Sequence, residues 1–198
     1  MLSEELHTRL EHGYPTIWVV DPLDGTTNFS LGLHYWGILL ARLEKGFPTL
    51  AVLYFPLIDE MYTAQVNAGA KLNGKRIHAK GPEKGQTAAF FSCCSRTFQK
   101  YDVNVPYKTR ILGSAAYTFC CVARGAALLG FEATAKAWDI AGAWLVAEEA
   151  GAVVGTLDGS MVFPISPSID YSQRSFPCLI ASTSNLAQKA RRQILPKK

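Results

Sequence analysis

The chain has 198 residues, 48% of them hydrophobic, which is enough for one large domain or two small, closely packed ones with a self-sufficient core. Charged residues make up only 18%, and Gly and Pro are spread along the chain. With no internal repeat or low-complexity tract, a solenoid and a disordered arm are both excluded. The formal charge of +4 is mild and scattered apart from Arg191, Arg192, Lys197 and Lys198, which argues against a nucleic-acid surface while still favouring small anions.

In chain order, residues 1–5 lack the basic region followed by an apolar stretch that marks an export signal. The longest apolar runs also fall well short of a bilayer span, so neither export nor membrane insertion is expected. Residues 16–20 (TIWVV) form a short β-rich run that stops at Asp21-Pro22, which predicts a buried strand with Asp21 at its exit. Residues 36–44, 49–54 and 60–65 read as further strands, the first two joined by a turn over 45–48. Asn73-Gly74 between residues 70–72 and 75–77 is a strong two-residue hairpin signal. The first half is therefore expected to be an antiparallel meander.

In the second half, residues 88–93 and 109–112 read as strands, and residues 114–128 as an Ala-rich helix ending near Gly130. Residues 138–150 are apolar at Ile140, Ala143, Trp144, Ala147 and Ala150, a helical spacing, with Gly151 placed to stop them. Val153-Val154 and residues 177–181 are strands, and Ser184-Asn185 opens a final helix through Ile194. Helices and strands alternating in this way give a layered α/β or α+β architecture.

The run from Asp21 to Phe29 (DPLDGTTNF) carries the chemistry. Asp21 and Asp24 can converge on one point if the loop stiffened by Pro22 curls, with the Leu23 carbonyl between them, and such an all-oxygen set suits Mg²⁺. Gly25 then lets the backbone come close, and Thr26-Thr27 can offer N–H groups to a phosphate. The alternative is an Asp-Gly turn in which Thr26 or Asn28 merely caps a helix. Asp139, at the first turn of the second helix, can cap that helix or reach a metal. Gly113-Ser114-Ala115 links strand to helix with small residues that suit a ligand approaching backbone amides, with capping by Ser114 the even alternative. The five cysteines have no CxxC and two adjacent pairs, a pattern of reduced, buried thiols in a cytoplasmic protein. The four histidines show no ligand spacing.

Taken together, WVVDPLDGTTNF at 18–29, WDIAGAWLVAEEAG at 138–151 and GSAA at 113–116 resemble the inositol monophosphatase family of Mg²⁺-dependent, lithium-sensitive phosphatases. The resemblance implies an α+β sandwich of the inositol monophosphatase and sugar phosphatase type, with the antiparallel meander first and a mixed sheet with helices second. It implies one unit over 1–198, with the metal and phosphate loop in about 1–85 and the α/β half in 86–198. Asp21, the Leu23 carbonyl, Asp24 and Asp139 would be metal ligands. Ser3-Glu4-Glu5 fits the family's acidic motif, so Glu4, or else Glu5, would ligate metal and act with Thr26 and Asp21 in catalysis. Asp24, Gly25, Thr26, Gly113, Ser114, Ala115, Glu132 and Asp139 would contact substrate, and Lys136 stands where many relatives have His. The implied cofactor is two or three Mg²⁺ ions, with Mn²⁺ as a substitute. The implied reaction is hydrolysis of a small phosphorylated polyol, inositol 1-phosphate first, by a cytoplasmic homodimer that binds neither nucleic acid nor membrane. Fructose 1,6-bisphosphate, a 3′-phosphonucleotide and histidinol phosphate are the alternative substrates, and a catalytically silent binding protein is the alternative to an enzyme. Relatives usually carry helices before the acidic motif, where this chain begins, so an apolar face on the first sheet is expected to need a cover.

Overall fold

Tight left-handed turns organise the first half of the chain. The computed structural model describes residues 1–3, 15–82, 90–166 and 169–197. β1 (Leu2–Ser3) lies parallel to β2 (Thr16–Asp24), and after the short α1 (Thr26–Ser30) the chain runs antiparallel through β3 (Gly37–Glu44), β4 (Phe47–Phe55), β5 (Glu60–Gln65), β6 (Gly69–Leu72) and β7 (Lys75–Arg76). These seven strands lie side by side in sequence order. Lys45 and Gly46 have φ of 50° and 82°, Asn73 and Gly74 of 48° and 77°. Paired positive φ values are what a two-residue I′ hairpin turn needs.

Two expectations for this half need correction. β4 begins at Phe47 rather than at residue 49, with Pro48 inside it, because the ladder slips between Arg42 and Leu43 and absorbs a residue with no amide to donate. β2 does not stop at Asp21 but runs on to Asp24 across a similar irregularity.

The second half comprises β8 (Phe90–Cys93), α2 (Thr97–Lys100), β9 (Tyr101–Val103), β10 (Lys108–Arg110), α3 (Ala115–Ala123), β11 (Leu129–Ala135), α4 (Ala137–Glu149), β12 (Val153–Thr156), β13 (Phe176–Ala181), α5 (Ser184–Gln193) and β14 (Ile194–Pro196). Its main sheet has the order β10-β8-β11-β13-β12, with the first three strands parallel and β13 antiparallel to both neighbours. The helix expected over 114–128 ends at Ala123. Gly125 takes φ 77° just beyond it, and the amide of Ala126 bonds back to the Cys121 carbonyl at 2.9 Å. The apolar run that follows becomes β11, a central strand where the sequence suggested no element beyond the helix end near Gly130.

The layers meet through α4. Leu39, Ala41, Leu43, Ala51, Leu53 and Phe55 alternate onto the inner face of the first sheet and are buried. The Ala-Gly-Ala stretch of α4 lies directly on this face, with an ideal Cβ at Gly142 in van der Waals contact, 3.4 Å, with the Leu40 carbonyl and Leu53. α3 packs beside α4, and Leu186, Ala187, Ala190 and Ile194 cover Phe91, Leu129, Phe131 and Leu179 on the outer face of the second sheet. The result is the layered α+β sandwich expected, with sheet, helices, sheet and helix in succession. All five cysteines are free, four of them buried, and burial pushes the Cys93 thiol up to about 12. Among the described residues no helix is long and apolar enough to cross a membrane.

Candidate active site

Three parallel strands end together, and ligands of open α/β sheets bind beyond such carboxyl ends. β8 exits into Cys94-Ser95-Arg96, the chain after β10 passes through Gly113-Ser114-Ala115, and β11 exits into Lys136 and the start of α4. A cavity of about 520 Å³ opens there, and the first sheet closes its other side with Asp24, Gly25, Thr26, Thr27 and Asn28. Asp24, Gly25, Thr26, Gly113, Ser114, Ala115, Glu132 and Asp139 thus lie around one space, together with Cys94, Arg96, Thr134 and Lys136.

Asp21 and Asp24 owe their common orientation to a β-bulge. Residues three apart in a regular strand face opposite sides. Here Asp21 stands opposite Leu39 and Asp24 opposite Gly37, three steps on β2 against two on β3, so the extra residue returns both carboxylates to the inner side. They are 1% and 7% exposed. Asp21 Oδ1 accepts from the Leu23 amide at 2.9 Å, which pins the bulge, and neither residue lines the cavity as Asp24 does.

Ser114 takes the capping role and adds a bond across the cavity. Its Oγ accepts from the Tyr117 amide at 3.0 Å, capping α3, and donates to Asp24 Oδ2 in a short hydrogen bond. Gly25 has φ 82°, and a Cβ there would stand 2.7 Å from the Tyr35 carbonyl, so the backbone at the mouth of the cavity admits only glycine without a shift. Gly25 occupies the cap position of α1 with no side-chain bond, so neither Thr26 nor Asn28 is the cap considered above. Asn28 instead donates both amide hydrogens, to the carbonyls of Tyr35 at 2.6 Å and Leu112 at 2.7 Å. That clamp ties the phosphate-loop candidate to the strand exit before Gly113, where φ is 76° and a Cβ would strike Asn28 Oδ1 at 2.6 Å.

Asp139 sits in the first turn of α4, where its Oδ2 accepts from the Lys136 amide at 2.9 Å, so it caps the helix while facing the cavity. Lys136 sends its ammonium to the Ser172 carbonyl at 2.7 Å. Glu132 is buried, and loss of water, followed by the charge of Asp24, pushes its carboxyl up to about 8 against hydrogen bonds from Thr118 and Cys94. Thr118 is held by Ser92 at 3.0 Å and by the Ser114 carbonyl at 3.2 Å.

Glu4 and Glu5 lie outside the described residues, as do His7 and His12, while His34 and His78 are exposed. Among the described residues no three His, Cys, Asp or Glu side chains stand close enough to hold an ion by themselves. The carboxylates at the cavity, from Asp24, Glu132 and Asp139, offer oxygen, which fits Mg²⁺ of the kind held by one or two carboxylates and completed by water and a phosphate, but not a closed protein cage. Sequence reasoning missed Asn28, Cys94, Arg96 and Thr134. A polar Ser-Arg directly after the β8 strand was a usable signal, whereas Asn28 suggested no more than a helix cap.

The model of the inositol monophosphatase family matches residues 1–193. A Nus factor SuhB from Vibrio cholerae is 34% identical over 163 residues, covering 77% of this chain and 61% of that protein. The Nus factor SuhB of Xylella fastidiosa is 32% identical, covering 76% and 58%. This chain therefore spans about three fifths of the length of these curated relatives. Among solved structures, a hypothetical Pyrococcus horikoshii protein with similarities to inositol-1 monophosphatase superposes with a TM-score of 0.80 at 26% identity, over 100% of this chain and 76% of that one.

Proposed function

We propose, on the premise that this chain belongs to the inositol monophosphatase family, that its cavity hydrolyses a small phosphate monoester with Mg²⁺, and that inositol 1-phosphate is the substrate to test first. The observation that carries the reading is the bond from Ser114 to Asp24, which joins the bulged strand of one sheet to a helix start of the other beside Glu132 and Asp139. Four oxygen-bearing side chains from separate elements thus meet next to a backbone that only glycine can form.

In this reading Asp24 and Asp139 hold metal at the cavity wall, Asp21 and the Leu23 carbonyl supply ligands from the bulge, and Glu4 completes the set. Bound Mg²⁺ supplies charge neutralisation and Lewis acidity to the ester. The chain does the rest. Gly25 admits the phosphate close to the backbone, and Arg96 adds positive charge at the rim. Thr26 Oγ, exposed at the mouth, orients the attacking water, whose proton Glu4 would accept. Glu132, with its carboxyl raised by burial, exchanges hydrogen bonds with a substrate hydroxyl.

Phosphate release is the test, measured with and without Mg²⁺ on inositol 1-phosphate, fructose 1,6-bisphosphate, a 3′-phosphonucleotide and histidinol phosphate. The expected result is Mg²⁺-dependent release, fastest on inositol 1-phosphate, and a loss on the order of a thousandfold in Asp139→Asn, or about 4 kcal/mol of transition-state stabilisation. Wild-type turnover in folded Asp139→Asn would remove the metal assignment. A second reading, a binding protein without turnover, draws on two observations: the relatives are named as Nus factors, and the described residues alone do not form a metal cage. Absence of release from all four esters, with Mn²⁺ still bound, would favour it.

A further inference from the structure

A second cavity, sharing no lining residue with the first, opens at the other end of α4. Trp144 and Glu148 lie on that helix, and Glu148 is nine residues beyond Asp139, roughly 14 Å along the axis. The space is about 420 Å³, enough for a molecule the size of an apolar amino acid. Trp144 and Phe163 form an edge-to-face pair at 5.5 Å, and Phe47 and Met161 add walls that are 51% and 71% exposed, far more than such side chains usually are.

Two charged groups of opposite sign face this space. Glu148 Oε1 accepts from the Trp144 indole at 2.9 Å, and Arg191 Nη1 donates to the carbonyls of Thr156 at 2.6 Å and Leu157 at 3.2 Å. Each head is therefore fixed to the wall by its own bonds. Gly155 makes room for the guanidinium, since a Cβ there would stand 3.0 Å from Arg191 Nη2. Among the described ion pairs, which join Arg42 to Glu44 and Arg124 to Glu60, these two charges are not joined to each other. Glu148 and Arg191 are both exposed residues, so each charged head is open to an arriving ligand.

A lone anion or a lone cation would satisfy only one of the two heads. We propose that this cavity binds a small zwitterion with an apolar body, of the α-amino-acid class. Its carboxylate is taken by Arg191 and its ammonium by Glu148, with the body against Phe47, Trp144, Met161 and Phe163. A guanidinium edge matches a carboxylate in geometry, and an ammonium beside indole and phenyl faces gains cation–π attraction in addition to the ion pair.

The probes are L-leucine and L-phenylalanine, compared by calorimetry with isoamylamine and 4-methylpentanoate, which each keep the leucine body with one charge removed. Saturable binding of at least one amino acid is expected, and about tenfold or more weaker binding of both single-charge analogues. Glu148→Gln should weaken the amino acid about tenfold while leaving ligand-free phosphate release and the thermal midpoint unchanged. Arg191→Met should weaken it at least as much, with Trp fluorescence reporting whether the loop that Arg191 holds has moved. No saturation by either amino acid would overturn the proposal. So would equal binding of the analogues, or wild-type affinity in Glu148→Gln.

Discussion

The first sheet delivers its carboxylates through a local irregularity, whereas the second delivers its polar groups through the order of distant strands. In the meander, one extra residue between Asp21 and Asp24 turns two side chains to the same side, and neighbours in sequence do all of the work. In the second sheet, Ser114, Glu132 and Asp139 meet because β10, β8 and β11 run parallel and end together, an arrangement that joins segments far apart in the chain. A site assembled in this way depends on the joint between the two regions as much as on either alone. Ser114 with Asp24, and Asn28 with Leu112, are that joint.

The largest loss of stability from a single substitution is expected on the meander side. Gly25→Ala forces a Cβ onto a left-handed residue and into the Tyr35 carbonyl, and should destabilise the protein by roughly 2–4 kcal/mol. Urea unfolding would measure this, and activity should fall further than stability because the mouth of the cavity moves. A loss below about 0.5 kcal/mol would mean that the loop is not held as tightly as its contacts imply.

Asn28→Ala addresses the joint itself. It leaves the carbonyls of Tyr35 and Leu112 without their donor and should cost about 2 kcal/mol. A double variant with Ser114→Ala should fall short of the sum of the two losses if both bonds hold the same contact between the sheets. Strict additivity would show them to be independent.

A third effect is a slope across pH rather than a fixed loss. In chelator-treated protein Glu132 has a folded carboxyl raised from 4.5 to about 8, so the folded state retains its proton where the unfolded state has lost it. Its contribution is fully present below about pH 4.5 and is lost as pH rises toward 8. Unfolding free energy of the wild type should therefore decline across that window relative to Glu132→Gln. Parallel pH profiles for the two would place Glu132 in water.

What was legible in the sequence follows the same division. Asn73-Gly74 and Lys45-Gly46 announced their turns because left-handed backbone has a residue signature, and the meander followed from them. β11 was missed because its run of Leu, Gly, Phe and Ala has no decisive period, and its strand character comes from β8 and β13 on either side. The helix before it was overextended because Gly125, the true stop, sits in an apolar stretch that continues past it. The Asp21–Gly25 run and Asp139 were readable as chemistry, but the bulge that aims Asp21 was not, since the motif looks the same in a loop as in a strand. The sequence suggested only a helix cap for Asn28, because its clamp depends on Leu112, distant in the chain.

The central claim is that Asp24 from one sheet and Asp139 from the helix of the other hold one divalent cation together with a phosphate. Calorimetric titration of Mn²⁺ in the presence of inorganic phosphate, on the wild type, Asp24→Asn, Asp139→Asn and the double variant, tests it directly. The account predicts saturable binding that weakens at least tenfold in each single variant, with little further loss in the double. Wild-type Mn²⁺ affinity in either folded single variant would contradict it.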